Sequence, residues 1–271
     1  MAVKERRTKI LLSLLLLGDV NFSSVKLDEK VQKIFDFTMN QKTRGTISGL
    51  IKEEVIEKVS NQLNQPKSAE SANTDITDLT VKTEYRLTEK GFYAICLEFP
   101  FFRYLKDRWD GKWRILSYEI PEKKRELRDR LRRQVVGWGL GPWHRSFWLT
   151  PHPIIDSLKA LTSQKEEEHY IQAFESDHVF GDRNELIEKV WEKSLLDKKY
   201  REMFKKWHDI LAQPASVEAS AGKVDKFEKV INYYIDLLRQ DPGLPKELVG
   251  ESWIGFEAWN IFKEIKSILL S

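Results

Sequence analysis

The stretch Tyr118–Gln134, YEIPEKKRELRDRLRRQ, concentrates side chains suited to phosphate chemistry. It has seven basic residues in the eleven positions Lys123–Arg133, with carboxylates at Glu119, Glu122, Glu126 and Asp129 among them. Such a mixture would serve a metal-dependent nuclease, a helix that grips nucleic acid, or a solvated helix face. Projected at ~100° per residue, Leu127, Leu131, Val135 and Trp138 share one sector of ~80°, with the stem of Lys124 beside it, and that stripe should face a sheet. Arg125 and Arg132 fall on the far side. Glu126–Arg130 and Asp129–Arg133 have the i,i+4 order that favours ion pairs. The acids therefore answer part of the basic charge, and a solvated, salt-bridged face or a subunit contact is expected ahead of phosphate contact.

Other chemistry finds less support. His144, His152, His169, His178 and His208 give no i,i+4 pair on one helix, so no zinc site is expected. Glu175, Asp177 and Asp182 read as solvated turn acids. No glycine-rich phosphate loop, nucleophile elbow or Cys/His pair occurs, and the expectation is a non-enzyme with no cofactor and no metal. Trp138, Trp143 and Trp148 recur every five residues, and Trp253 and Trp259 lie near the C-terminus. They could stack single-stranded nucleic acid, but core or subunit-interface anchors are the expected role. A small effector would sit in the cleft between the middle and C-terminal regions. Arg145 and Trp148 are its candidate contacts by location.

Composition sets the frame for these elements. The 271 residues are 41% hydrophobic and 32% charged, which describes a charge-rich globular protein. The net charge of +3 conceals an excess of +7 between Phe101 and Pro151, compatible with a polyanionic partner. A single cysteine, Cys96, excludes an internal disulfide and suits a reducing cytoplasm. The apolar run Ile10–Leu17 follows a basic start, as in a secretory signal, but no small-x-small cleavage site follows. The run is also far shorter than the ~20 residues that span a bilayer. A buried first helix over 4–17 is the expectation.

Periodicity places a second helix over about 28–39 and a third after TRGT, with Ile47, Leu50, Ile51, Val55, Val59 and Leu63 on one stripe. A polar loop, NQPKSAESANTD, precedes a strand through Leu79, Val81, Thr83, Tyr85 and Leu87. This is the order of a winged helix-turn-helix, whose third helix enters the major groove. Arg44, Thr46, Ser48 and Lys52 are then the candidate DNA contacts of that helix. Lys82 and Arg86 are those of the wing. Thr46 also reads as a helix cap. Glu53, Glu54 and Glu57 give the same helix an acidic bias that would repel phosphate. A strand over Trp113–Ile120, a helix over 122–137, two strands joined near Pro142, a helix over 154–163 and a strand in HYIQAFES follow, the ferredoxin-like order. From Asn184 onward the pattern is helical, interrupted by the loop AQPASVEASAG. The expected fold is α+β: a winged helix-turn-helix over 1–92, a connector and ferredoxin-like βαββαβ dimerisation domain over 93–182, and a helical C-terminal domain over 183–271.

The segments WDGKWRILSYEIPEKKRELRDRLRRQVVGWGLGPWHRSFWLTP and DPGLPKELVGESWIGFEAWNIFKEI, with YRLTEKG before them, resemble signatures of the phenylacetate-degradation repressor (PaaX) family across residues 80 to 265. The resemblance implies a homodimeric transcriptional repressor that binds double-stranded operator DNA. In the best-known members an aryl acyl-CoA thioester is the inducer. The middle region is also similar to the small ferredoxin-like family of CRISPR spacer acquisition, in which a strand-end aspartate from each of two chains holds a divalent cation. Glu119 occupies the matching position here. A magnesium-dependent nuclease is therefore the alternative expectation, with Glu119 as its catalytic residue.

Overall fold

In a computed structural model, residues 2–59, 83–213 and 219–270 are described. The chain divides into two compact units, one of residues 1–95, 215–231 and 268–271, the other of residues 96–214 and 232–267. Helices and two antiparallel sheets make it a mixed α+β protein.

The first unit begins with α1 (Ala2–Gly18), whose Ile10, Leu14, Leu15 and Leu16 are buried, as its apolar run requires. β1 (Val25–Lys26), α2 (Glu29–Ile34), α3 (Gln41–Lys52), β2 (Ile56–Val59), β3 (Glu84–Leu87) and α4 (Glu89–Cys96) follow. The strands form a sheet in the order β1-β3-β2. Asp28 caps α2 by accepting from the Val31 N–H, and the helix stops where Asp36 enters the left-handed region at φ 49°. It ends five residues before its periodicity suggests.

The third helix departs further from expectation. It starts at Asn40, whose side chain accepts from the Thr43 N–H at 3.0 Å, and it ends at Lys52. Glu54 is left-handed at φ 58°, its N–H bonds Ile51 O, and the Val55 N–H bonds Leu50 O at 2.9 Å. That pair of bonds is a Schellman motif, here closed by glutamate where glycine is usual. Val55 and Val59, which fit the helical stripe, lie beyond the helix: Val55 precedes β2 and Val59 ends it, with Ile56 opposite Leu87 and Glu57 opposite Arg86. Leu63, the polar loop, Leu79, Val81 and Lys82 lie outside the described residues.

In the second unit, α5 (Arg103–Lys106) leads to β4 (Trp113–Tyr118), α6 (Arg125–Gly137), β5 (Gly141–His144), β6 (Phe147–Thr150), α7 (Ile155–Thr162) and β7 (Ile171–Ser176). The sheet order is β5-β6-β4-β7, with every neighbouring pair antiparallel. One face packs Leu116, Tyr118 and Trp148 against Leu131 and Val135 of α6 and Leu158 of α7. On the other face Trp113 and Leu149 meet Ile187, Val190, Leu244 and Leu248. The turn between β5 and β6 falls at Arg145–Ser146, beyond the expected Pro142, which lies within β5. α8 (Arg183–Trp191), α9 (Lys193–Ala212), α10 (Ala219–Leu238), α11 (Lys246–Val249) and α12 (Ile254–Leu270) complete the chain. Among the described residues no helix is long and apolar enough to cross a membrane.

Candidate nucleic-acid interface and effector cleft

On α3, Thr43, Ile47 and Leu50 are buried, which turns Gln41, Arg44, Gly45, Ser48 and Lys52 to the exposed side. At ~100° per residue these five fall within one ~100° sector. The stripe holds two cations and no carboxylate. Glu53, Glu54 and Glu57 all lie beyond the helix, and each faces a cation: Glu53 meets Arg7 at 2.7 Å, Glu54 meets Lys90 at 3.9 Å, and Glu57 meets Arg86 at 2.6 Å. The acidic bias expected of this helix is thereby removed.

The candidate contacts divide accordingly. Arg44, Ser48 and Lys52 share the stripe. Thr46 is half-buried on its flank and donates its hydroxyl to Lys42 O at 3.0 Å, and the helix cap is Asn40 instead. Arg86 is exposed on β3 but engaged by Glu57. Gln41 and Gly45 were not anticipated, and Asn40 as a cap in the sequence would have located them.

The basic helix α6 begins three residues late, after a 3₁₀ turn at Glu122–Lys124. Leu131, Val135 and Trp138 are buried as projected. Neither i,i+4 pair expected from the sequence forms. Arg130 reaches Glu167, Asp129 takes Arg125 and Arg128 at 3.5 Å each, and Arg128 also takes Glu122 at 2.6 Å. Lys124 bonds Glu166 and the Tyr170 hydroxyl. Most of the basic charge is answered within this unit. Glu119, one residue past β4, is exposed, and its side chain makes no ion pair among the described residues. Among those residues no group of three His, Cys, Asp or Glu side chains is placed to hold a metal.

A cleft of about 650 Å³ opens in the second unit between the end of α6 with β5 and β6, and α8, α9 and the 239–242 turn. Trp148, Leu140, Val190 and Leu196 give it apolar walls, while Arg132, Lys189, Lys199 and Arg239 outnumber Glu192 and Asp241. The Arg132 guanidinium lies over the Trp148 ring at 5.7 Å. Of the two effector candidates, Trp148 lines this cleft. Arg145 stands exposed in the β5–β6 turn and does not. Lys189, Lys199 and Arg239 escaped sequence reading because three separate segments bring them together. Trp138, Trp148, Trp253 and Trp259 are buried as core anchors, and Trp143 is the exposed exception among those singled out.

Asp241, at the cleft wall, is buried. Its Oδ2 accepts from the Tyr200 hydroxyl at 2.5 Å and its Oδ1 from the Gly243 N–H at 2.7 Å. Burial dominates these bonds and raises its pKa to about 6. His152 is buried beside the same turn, with Nε2 2.7 Å from Pro242 O, and burial lowers its pKa to about 3. It is therefore neutral, and Nε2–H donates to that carbonyl.

Two family models match the chain: the PaaX protein central Cas2-like domain over residues 106–187, and the PaaX-like protein C-terminal domain over residues 191–271. No curated protein matches. An uncharacterized protein from Mycobacterium tuberculosis, Rv0674, is similar in structure at 15% identity and a TM-score of 0.49, covering 96% of this chain and 94% of its own.

Proposed function

Because the chain belongs to the PaaX-like family, with that family's central Cas2-like and C-terminal domains, we propose that it is a cytoplasmic, dimeric transcriptional repressor. It binds operator DNA through an N-terminal winged helix-turn-helix and is released by a small effector. The family match favours a regulator over an enzyme. The order α2, α3, β2, β3, with the strands paired, supports the winged reading of residues 1–92. The order β4-α6-β5-β6-α7-β7, with the sheet arranged β5-β6-β4-β7, supports a ferredoxin-like domain over 93–182.

The observation that carries the proposal is the α3 stripe. Gln41 and Ser48 supply hydrogen-bonding groups for base edges or phosphates, Arg44 and Lys52 supply charge, and Gly45 lets a backbone approach closely. A gel-shift titration with the DNA upstream of the chain's own gene tests it. Nanomolar, salt-sensitive binding is expected, and no preference over random duplex would refute it.

The cleft beside Trp148 suits an effector with an apolar body and negative charge, since its walls are apolar and its rim carries a cationic excess. Such an effector should quench tryptophan fluorescence and release the DNA. The nuclease alternative rests on Glu119 alone, which stands exposed where a second chain could supply another carboxylate. It requires magnesium-dependent cleavage that Glu119→Ala abolishes.

A further inference from the structure

The two edges of the β5-β6-β4-β7 sheet are not alike. The β5 edge contains Pro142, which has no N–H to offer, and α8 packs against it so closely that a Cβ on Gly141 would meet Val190 Cγ1 at 2.3 Å. Proline and a covering helix are how sheets guard an edge. β7 has neither. Residues Gln172–Ser176 are all exposed, and the strand carries one charge, Glu175, whose Oε1 accepts from Arg114 Nε at 2.9 Å.

The register determines which backbone groups β7 leaves open. The Glu119 N–H bonds Tyr170 O at 3.0 Å, and Ser117, Ile115 and Trp113 stand opposite Gln172, Phe174 and Ser176. Hydrogen-bonded pairs alternate along an antiparallel ladder, so the N–H and C=O of Ile171, Ala173 and Glu175 point away from β4 to the free edge.

We infer that two copies of this chain join by antiparallel pairing of β7 with β7, centred on Phe174. The inference rests on the dimeric reading above and assigns the surface. In this register Ala173 of one copy exchanges backbone bonds with Glu175 of the other, and the reverse pair does the same. Phe174 meets its own counterpart as a non-hydrogen-bonded pair, where side chains come closest. Gln172 then faces Ser176, and Ile171 faces Asp177. No two like charges are opposed, and a two-fold axis relates identical patches, as a closed dimer needs.

Exposed apolar surface lies where this pairing would cover it. Phe174 is 52% exposed on the face that carries Ile115 and Leu149. The segment after β7 brings Val179 and Phe180, 91% and 95% exposed, to the same side, around a cleft they share with Ile115, Leu149 and Trp143. With ~150–250 Å² for a fully covered aromatic side chain, these side chains and the open backbone edge of β7 supply roughly 500 Å² per copy. The pair then reaches about 1,000 Å², the lower bound for a specific interface.

Sedimentation of the full chain, with cysteine cross-linking, tests the assignment. Ala173→Pro removes an N–H that makes no bond to β4, so the variant should keep its circular dichroism while its dimer dissociation constant rises at least tenfold. Phe174→Glu should do the same through charge. Phe174→Cys should cross-link two chains on mild oxidation, since paired Cα atoms ~4.5 Å apart suit a disulfide. Gln172→Cys should not, because in this register its counterpart lies ~14 Å along the strand. Cys96 is buried and serves as the internal background. A monomeric wild type would overturn the dimeric reading itself. A dimeric wild type whose Ala173→Pro and Phe174→Glu variants remain dimers, or equal cross-linking at 172 and 174, would overturn the β7 assignment alone.

Discussion

Replacing Asp241 by asparagine should make the second unit more stable at neutral pH. Burial raises this carboxyl from the ordinary 3.8 to about 6, and the bonds from Tyr200 and Gly243 only partly oppose that. The folded chain thus holds the proton more tightly than the unfolded chain. The stabilisation linked to that proton is complete below pH 3.8 and is lost as pH rises through about 6. A gap of about two pH units corresponds to ~3 kcal/mol. The asparagine of Asp241→Asn keeps an oxygen to accept from the Gly243 N–H and carries no charge at any pH. The variant's advantage over wild type should therefore be near zero at pH 4 and approach ~3 kcal/mol at pH 7.5. All nine tryptophans lie between Trp109 and Trp259, within the second unit's residues, so tryptophan fluorescence reports that unit. Urea midpoints of variant and wild type should separate by about 1 M across this range. Asp110 and Glu167, whose pKa values are lowered, act oppositely, losing their contribution as pH falls, and they cancel in the difference. A stability difference that does not change between pH 4 and 7.5 would show that the Asp241 carboxyl carries no such burden.

Gly45→Ala places a methyl where no atom lies within 4 Å, so α3 should gain ~1 kcal/mol in thermal denaturation. The same methyl stands on the stripe and should weaken DNA binding in a gel shift. Glu57→Gln should release Arg86 from its 2.6 Å partner, tighten DNA binding and steepen its salt dependence by about one phosphate contact, read by anisotropy titration. Gly243→Ala combines φ +65° with a Cβ only 2.3 Å from the Pro100 carbonyl carbon. A loss of ~2 kcal/mol or more is expected in urea titration followed by tryptophan fluorescence.

The middle region was legible because its signals are local and redundant. The strand Trp113–Tyr118, the leucine stripe of α6 and the strand Ile171–Ser176 each carry the right period over enough residues to be read. The first unit was harder. Val55 and Val59 continue the stripe of α3, and only the left-handed Glu54 breaks the helix, a stop for which the sequence offers glutamate and no glycine. That one turn moved three acids off the helix and reversed the electrostatic expectation for its surface. Arg130 chose Glu167 over Glu126, and Arg239 joined Lys189 in one cleft, because partners distant in the chain compete with local spacing.

Contact between the exposed stripe of α3 and DNA is read from the affinity for the chain's upstream DNA as a function of salt. Wild type should be compared with the double variant Arg44→Ala/Lys52→Ala. Log affinity should fall linearly with log salt in wild type, with a slope shallower by about two in the variant. Parallel lines with unchanged affinity would contradict that contact.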